Sequence, residues 1–339
     1  MNIQDAIALL VDGNDLETSA IENVMTEIMT GHAEEATIGG FLVALKAKGE
    51  TVKEITGAAN VMRRLVEPVK VEKPNLIDIC GTGGSGSNKF NVSTGSAFVA
   101  AASGAWVAKH GNRSASSNSG SADVLEMAGA NIMLTPDQVA RCIESVGVGF
   151  MFAVNHHSAM KHAIGPRKKL KLRTIFNLLG PLTNPARVTR QLLGVYDNNL
   201  VRPIAEVLSR LGSEHVMVVH SEDGLDEISI SAKTRVAELK DGSITEYWLC
   251  PDDFSIEMQS IESLKVINSQ ESLSLIKRGL KGESEASRDI LSLNSGAAIY
   301  LSGIADSLEA GVKIAKDAIS SGAALAKMEE FCDFTNYQA

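Results

Sequence analysis

Aromatic residues make up only 4% of this 339-residue chain, and 32 Lys plus Arg face 41 Asp plus Glu, a formal net charge of −9. Nucleic-acid binders need a cationic footprint for phosphates and aromatic platforms for bases. Both are scarce, which argues against a bulk nucleic-acid role. The four cysteines, Cys80, Cys142, Cys250 and Cys332, lie far apart without paired spacing, so they read as small buried hydrophobes of a reducing compartment and not as a disulfide framework or a zinc site. No Lys or Arg precedes Lys46, and Asp5 and Asp12 interrupt the first apolar residues, unlike a secretory signal. The longest apolar run, Ala97 to Ala108, falls well short of the ~20 residues that cross a bilayer. Internal repeats, low-complexity tracts and a Pro/Ser linker are also lacking. A soluble, cytoplasmic protein is expected, and 44% apolar residues supply the cores of about two domains at roughly 100 to 200 residues each.

What is present changes character once along the chain. Over the first 67 residues apolar positions recur with helical period, as in Ile21, Val24, Met25 and Ile28 and then Ile38, Phe41, Leu42 and Leu45,. Gly13, Gly31 and Gly49 stand where C-terminal caps belong, Thr51 and Glu54 form a capping box, and Pro68 stops a fourth helix. From Leu76 onward, strand-length apolar runs (LIDIC, WVAKH, VGFMFAV, QLLGVY, HVMVVH) alternate with helical stretches, the pattern of βαβ units around a parallel sheet covered on both faces. Ser229 to Leu249, with an Asp241-Gly242 turn, reads as an appended antiparallel hairpin, and residues 286 to 332 return to helical spacing. The expected fold is α/β: a small N-terminal α-helical domain over residues 1–70, joined by part of 165–190, and a large α/β domain with a mostly parallel sheet over 71–339.

The sharpest motif is Gly81-Thr-Gly-Gly-Ser-Gly86 directly after LIDIC. It matches a dinucleotide fingerprint literally, yet no helix opens at Gly86, and about 20 residues on stand Lys109 and His110 where that fold needs an acid. A bare backbone cradling an anion explains four glycines in six residues better. Next comes Asn91-Val-Ser-Thr94 before a helical run; Ser93 or Thr94 is expected to cap it, and free first-turn N–H groups plus two hydroxyls suit a phosphate. Two anion sites so close together fit a substrate with phosphate at both ends.

Lys109-His-Gly-Asn-Arg113 ends the following strand and leads into a serine-rich loop, which should face the same crevice. Lys109 offers a point charge for an oxyanion, whereas Arg113 suits either that role or a structural pairing with a carboxylate. With no acid between Lys109 and Ala122, this charge is expected to be locally unneutralised. After HVMVVHS come Glu222, Asp223, Asp226 and Glu227. They make either a solvated loop or hard oxygen ligands for Mg²⁺. Arg167 can grip a carboxylate bidentately. No nucleophile–base–orienter set occurs, so the chemistry expected is positioning and charge stabilisation.

GTGG at 81–84, NVST at 91–94, KHGNRSASS at 109–117, IFNLLGPLTNP at 175–185 and GLDE at 224–227 follow one another over nearly the whole chain. Together they resemble the anthranilate phosphoribosyltransferases of tryptophan biosynthesis. The resemblance implies a nucleoside phosphorylase/phosphoribosyltransferase-like fold, a homodimer through the N-terminal helices, two Mg²⁺ per subunit, and reaction of phosphoribosyl pyrophosphate with anthranilate. It implies that diphosphate and ribose are held by Gly81, Gly84, Ser85, Lys109 and the loop Arg113, Ser114, Ala115, Ser116 and Ser117, with His110, Gly111, Asn112 and Ser121 beside them. The 5′-phosphate falls to Asn91, Val92, Ser93 and Thr94, with Lys89 adjacent. Lys109, Asn112 and Arg113 become the catalytic groups, and Gly81, His110, Asn112, His157, Arg167 and Pro181 the anthranilate contacts. Asp226 and Glu227 become metal ligands, with Ser93 on the second ion. Two departures stand out: the family usually has Asp where Ser85 stands, and Thr or Ser where Lys89 stands. The first removes a carboxylate, and the second is expected to add a cation beside the 5′-phosphate. A pyrimidine nucleoside phosphorylase and a non-catalytic nucleic-acid-binding relative are the alternatives.

Overall fold

In a computed structural model of the chain, which describes residues 1–83, 88–114 and 118–337, the N-terminal apolar stripes fold as four helices. These are α1 (Ile3–Val11), α2 (Thr18–Met29), α3 (Glu35–Lys48) and α4 (Val52–Leu65). Their ends follow local chemistry: Gly13, Gly31 and Gly49 adopt positive φ just past the first three helices, and Thr51 and Glu54 close a capping box on α4,.

Five strands then run parallel: β1 (Ile77–Gly81), β2 (Val107–Gly111), β3 (Val148–Phe152), β4 (Arg190–Gly194) and β5 (His215–Ser221). β6 (Thr234–Lys240) and β7 (Ser243–Leu249) extend them antiparallel, in the order β3-β2-β1-β4-β5-β6-β7. Asp241 and Gly242 turn the hairpin with φ of 51° and 75°, as two-residue hairpin loops require. The hairpin starts at Thr234, later than Ser229, because the Ser229 and Ser231 hydroxyls bond the Asp223 carboxylate instead of extending the strand.

Helices cover both faces. α5 (Val92–Ala102) follows β1, α6 (Ser121–Met127) and α7 (Pro136–Val146) follow β2, and α8 (Ala153–His156), α9 (Lys161–Leu170) and α10 (Phe176–Leu182) follow β3. α11 (Val201–Arg210) joins β4 to β5, and α12 (Ser269–Leu280), α13 (Glu285–Leu301), α14 (Leu308–Ser320) and α15 (Ala323–Tyr337) complete the chain. The strand period of two sorts the sheet's side chains between two cores. Ile77, Ile79, Leu192, Met217 and Val219 belong to the core that includes α5 and α13, whereas Cys80, Leu193, Val216 and Val218 join the N-terminal helices, α10 and α11. α9 packs on α2 and α3, and α10 and α11 on α4. From α4, Arg63 donates to the carbonyl oxygens of Leu182 (2.7 Å) and Leu211 (3.0 Å), fastening α4 to the C-terminal ends of α10 and α11.

Strand order reverses at β1: β2 and β3 step to one side, β4 and β5 to the other. Ligands of open α/β sheets bind beyond the carboxyl ends of the strands at such a point. Here two glycines meet, Gly81 opposite Gly194 in the ladder. A Cβ on Gly81 would stand 2.8 Å from Asp226 Oδ2, and one on Gly194 would collide with the backbone of Asp226. Their bareness lets the loop after β5 lie directly against the crossing.

Candidate active site

A crevice of about 340 Å³ opens at this point, lined by Gly81 to Gly83, Lys89 to Asn91, Ser93, Lys109 to Ser114, Ser121, Arg167, Pro181, Asp226 and Glu227. Residues drawn from five separate motifs therefore share one cavity. His157 stands behind its wall, against His110. Val92 and Thr94 are buried in α5. Gly84, Ser85, Ala115, Ser116 and Ser117 lie outside the described residues.

The helix after the glycine loop does not begin as its sequence suggests. Asn91, not Ser93 or Thr94, is the N-cap of α5, and its side chain does not cap. The Asn91 amide instead donates to the Ser119 carbonyl and accepts from the Ser119 and Ser272 hydroxyls. These partners from the serine loop and α12 win because they engage both ends of the amide, more than one helix N–H offers,. The first-turn N–H groups are engaged too: Val92 donates to Phe90, Thr94 to Asn91 and Ser93 to the Glu227 carboxylate.

Lys109 is buried, 3% exposed. Its Nζ donates to the Ile79 carbonyl (2.6 Å) and to Ser93 Oγ (3.2 Å), bracing β1 against α5. Burial pushes its pKa down, opposed by the charge of Asp78. Asp78, in mid-strand and fully enclosed, accepts from the His110 backbone N–H (3.2 Å) and the Asn184 side chain (2.8 Å). Burial pushes its carboxyl up, with Lys109 pulling the other way.

The expectation of an unneutralised basic loop is overturned. Arg113 forks onto Glu126 (2.5 and 2.8 Å) and also reaches Asp123 (3.0 Å), while Asp78 faces Lys109 from the neighbouring strand. The balancing acids lie one helical turn beyond the loop and across the sheet, outside a local reading. Arg113 thus has the structural pairing its sequence context left open, although it still lines the crevice.

Of the acidic loop only Glu222 is exposed. Asp223 is held by the hydroxyls of Ser221, Ser229 and Ser231, whereas Asp226 and Glu227 are only 5% and 8% exposed. Burial raises the Glu227 carboxyl to about 7, with the nearby Lys89 ammonium opposing. Lys89, expected as an extra cation beside the 5′-phosphate, is engaged in an ion pair: its Nζ lies 2.5 Å from Asp226 Oδ1, drawn there because a buried carboxylate is the strongest local attraction for a nearby ammonium. Among the described residues no three His, Cys, Asp or Glu side chains gather to hold a metal. Two adjacent enclosed carboxylates with the Ser93 hydroxyl nearby nonetheless fit Mg²⁺, which takes one or two protein carboxylates and leaves other positions to water and phosphate.

On the opposite wall Arg167 lies over the Phe176 ring, 5.2 Å from its centroid. No described carboxylate forms an ion pair with it, and burial alone lowers its pKa. A partly desolvated guanidinium over an aromatic ring at the edge of a cavity is suited to a planar carboxylate. Phe176, Asn177 and Gly180 also line this wall and were not singled out by sequence; their presence inside IFNLLGPLTNP was the available signal.

His110 and His157 meet Nε2 to Nε2 at 3.2 Å, and burial pushes both below their ordinary range, His157 to about 4. Both rings are therefore neutral near pH 7, one donating and one accepting. An unfolded His157 takes up its proton near pH 6.5, the folded one only near 4, so its contribution is complete above about pH 6.5 and is lost as pH falls toward 4. Between about pH 7 and pH 5 this one residue should remove about 2 kcal/mol of unfolding free energy. Urea unfolding of the wild type and His157→Asn at both pH values checks this; an equal pH response in the two proteins would remove His157 from the account.

Sequence and structure comparisons agree with the fold, a small helical domain and a large α/β domain. The helical bundle domain model of the glycosyl transferase family matches residues 4–66, and its a/b domain model matches residues 73–325. The anthranilate phosphoribosyltransferase of Saccharophagus degradans is 60% identical over 339 residues, covering 99% of each chain. That of Marinomonas sp. is 59% identical over 337 residues, 99% of this chain and 97% of the relative. The crystal structure of the Thermus thermophilus enzyme superposes with a TM-score of 0.92 at 40% identity, covering 98% of this chain and 99% of that one. The Saccharomyces cerevisiae enzyme in complex with PRPP and Mg gives 0.90 at 26% identity, covering 99% and 98%.

Proposed function

We propose the following division of labour in the crevice of a chain that belongs to the anthranilate phosphoribosyltransferase family. The enzyme transfers the phosphoribosyl group of 5-phosphoribosyl 1-pyrophosphate to the amine of anthranilate, giving N-(5-phosphoribosyl)anthranilate and diphosphate, a step of tryptophan biosynthesis. Arg167 carries the reading: a half-buried guanidinium without a described carboxylate partner shares one cavity with a glycine loop and two buried carboxylates.

Anthranilate lies with its carboxylate on Arg167, its ring near Phe176 and Pro181, and its amine toward Asn112 and Gly81. The neutral His110–His157 pair keeps that wall rigid. Diphosphate and ribose take the glycine loop with Gly84 and Ser85, the 111–117 loop and Ser121, and the 5′-phosphate takes Asn91 to Thr94. Mg²⁺, when bound, supplies positive charge for the departing diphosphate; Asp226 and Glu227 would hold it, with Ser93 on a second ion, two ions per subunit. Lys109 adds a fixed positive potential beneath the same oxygens, and the main catalytic effect is charge stabilisation as the anomeric carbon becomes oxocarbenium-like. The arylamine is neutral near pH 7, so the chain's task is alignment, and no general base is required.

Residues 1–70 with part of 165–190 form the small domain and 71–339 the large one. A homodimer through the N-terminal helices accords with the exposed Val11 and Val43 on α1 and α3. No helix of the described residues is long and apolar enough to cross a membrane, and a cytoplasmic location suits this biosynthetic role. Calorimetric titration with phosphoribosyl pyrophosphate plus Mg²⁺, and separately with inorganic phosphate, tests the assignment. Saturable heat is expected only with the first; comparable binding of free phosphate and a nucleoside would point to a phosphorylase.

A further inference from the structure

Lys89 is held in place twice over. Its backbone segment pairs with the stretch before α12, Phe90 donating to Leu264 (2.9 Å) and Val266 to Asn88 (2.8 Å). Its side chain, 12% exposed, ends 2.5 Å from Asp226 Oδ1, with Glu227 and Asp223 contributing further attraction. The same side chain borders the crevice beside Gly81 to Gly83. A monovalent cation attached to the chain therefore occupies a carboxylate that the proposed reading gives to a divalent one.

We propose that Lys89 is a tethered counter-ion that bars divalent metal from Asp226 until a diphosphate-bearing substrate arrives to take over the ammonium. The inference rests on the assignment of Asp226 as a metal ligand. The physical basis is charge balance. In the substrate-free crevice, Lys89 neutralises Asp226, and a metal ion binding there must displace an ammonium that Glu227 and Asp223 also hold in place, which leaves it little net gain. A diphosphate group supplies a stronger anion: the ammonium swings to phosphate oxygens, the Asp226 carboxylate is left without its counter-ion, and metal binding becomes favourable. Metal affinity is then coupled to substrate affinity, and the coupling is reciprocal. A chain with an uncharged residue at position 89 loses this order of events.

The test is Mn²⁺ binding to the full-length, substrate-free protein, read from the electron paramagnetic resonance signal of free Mn²⁺, with no turnover involved. Lys89→Gln keeps a hydrogen-bond donor for Asp226 without the charge, so the fold should persist; it should bind Mn²⁺ at least about tenfold more tightly than the wild type. Lys89→Arg keeps the charge and should bind as weakly as the wild type. Adding Asp226→Asn to Lys89→Gln should cancel the gain. Equal affinity in Lys89→Gln and wild type, or a gain in Lys89→Arg matching that in Lys89→Gln, overturns the proposal. A gain that survives Asp226→Asn overturns it as well, and also removes Asp226 from the metal site.

Discussion

Asp226→Ala is expected to fail in two measurable ways at once. Turnover should fall by roughly 10²- to 10³-fold, the scale of removing one group that stabilises developing charge. The protein should also lose stability, on the order of 3 to 5 kcal/mol, because the Lys89 ammonium is left buried without the carboxylate it faces at 2.5 Å,. An exposed loop carboxylate would show only the first effect; at 5% exposure Asp226 is no such residue. Guanidinium unfolding and a fluorescence assay of anthranilate consumption separate the two losses. If Asp226→Ala keeps wild-type stability, the ion pair is not holding the loop; near wild-type turnover at saturating Mg²⁺ would end the metal assignment.

Arg167→Ala should act on one substrate alone. The anthranilate KM should rise by roughly 10- to 150-fold, equivalent to about 1.5 to 3 kcal/mol of lost charge-assisted bonding. The phosphoribosyl pyrophosphate KM should stay nearly constant, since the guanidinium sits over Phe176 on the wall away from the acidic loop. Losing a contact made equally in the ground and transition states raises KM with little change in kcat. Initial rates with each substrate varied in turn decide it: equal rises in both KM values would place Arg167 elsewhere.

These two residues also mark what the sequence makes legible. The five parallel strands announce themselves because apolar runs buried on both faces admit few other placements, and the hairpin turn is written in Asp241-Gly242. The crevice is legible as a collection of loops, because strand-to-loop motifs at the carboxyl ends of a parallel sheet must converge. Pairings between them are not. Lys89 and Asp226 are 137 residues apart, and nothing local to either indicates that they touch. Which partner Arg113 takes is open in the sequence because its acids begin just past the serine loop. The network of Asp78, Asn184 and Gln191 joins β1, the segment after α10, and β4, and one charged letter inside LIDIC was its only trace. Periodicity reports which face a residue occupies; contacts between distant loops depend on strand order, which no single segment encodes.

The bare contact of Gly81 and Gly194 with the acidic loop bears on how mutational surveys of this protein should be read. Position 194 carries no functional group and touches no proposed substrate, yet any side chain there meets the main chain of Asp226, which no rotamer change can avoid,. In a scan scored by growth without tryptophan, Gly194 would be as intolerant as the carboxylate it accommodates, and ranking by intolerance alone would class it among the reacting groups. Its sensitivity is that of a mould and not of a reagent: every substitution fails alike, whatever its charge, and added Mg²⁺ rescues none of them.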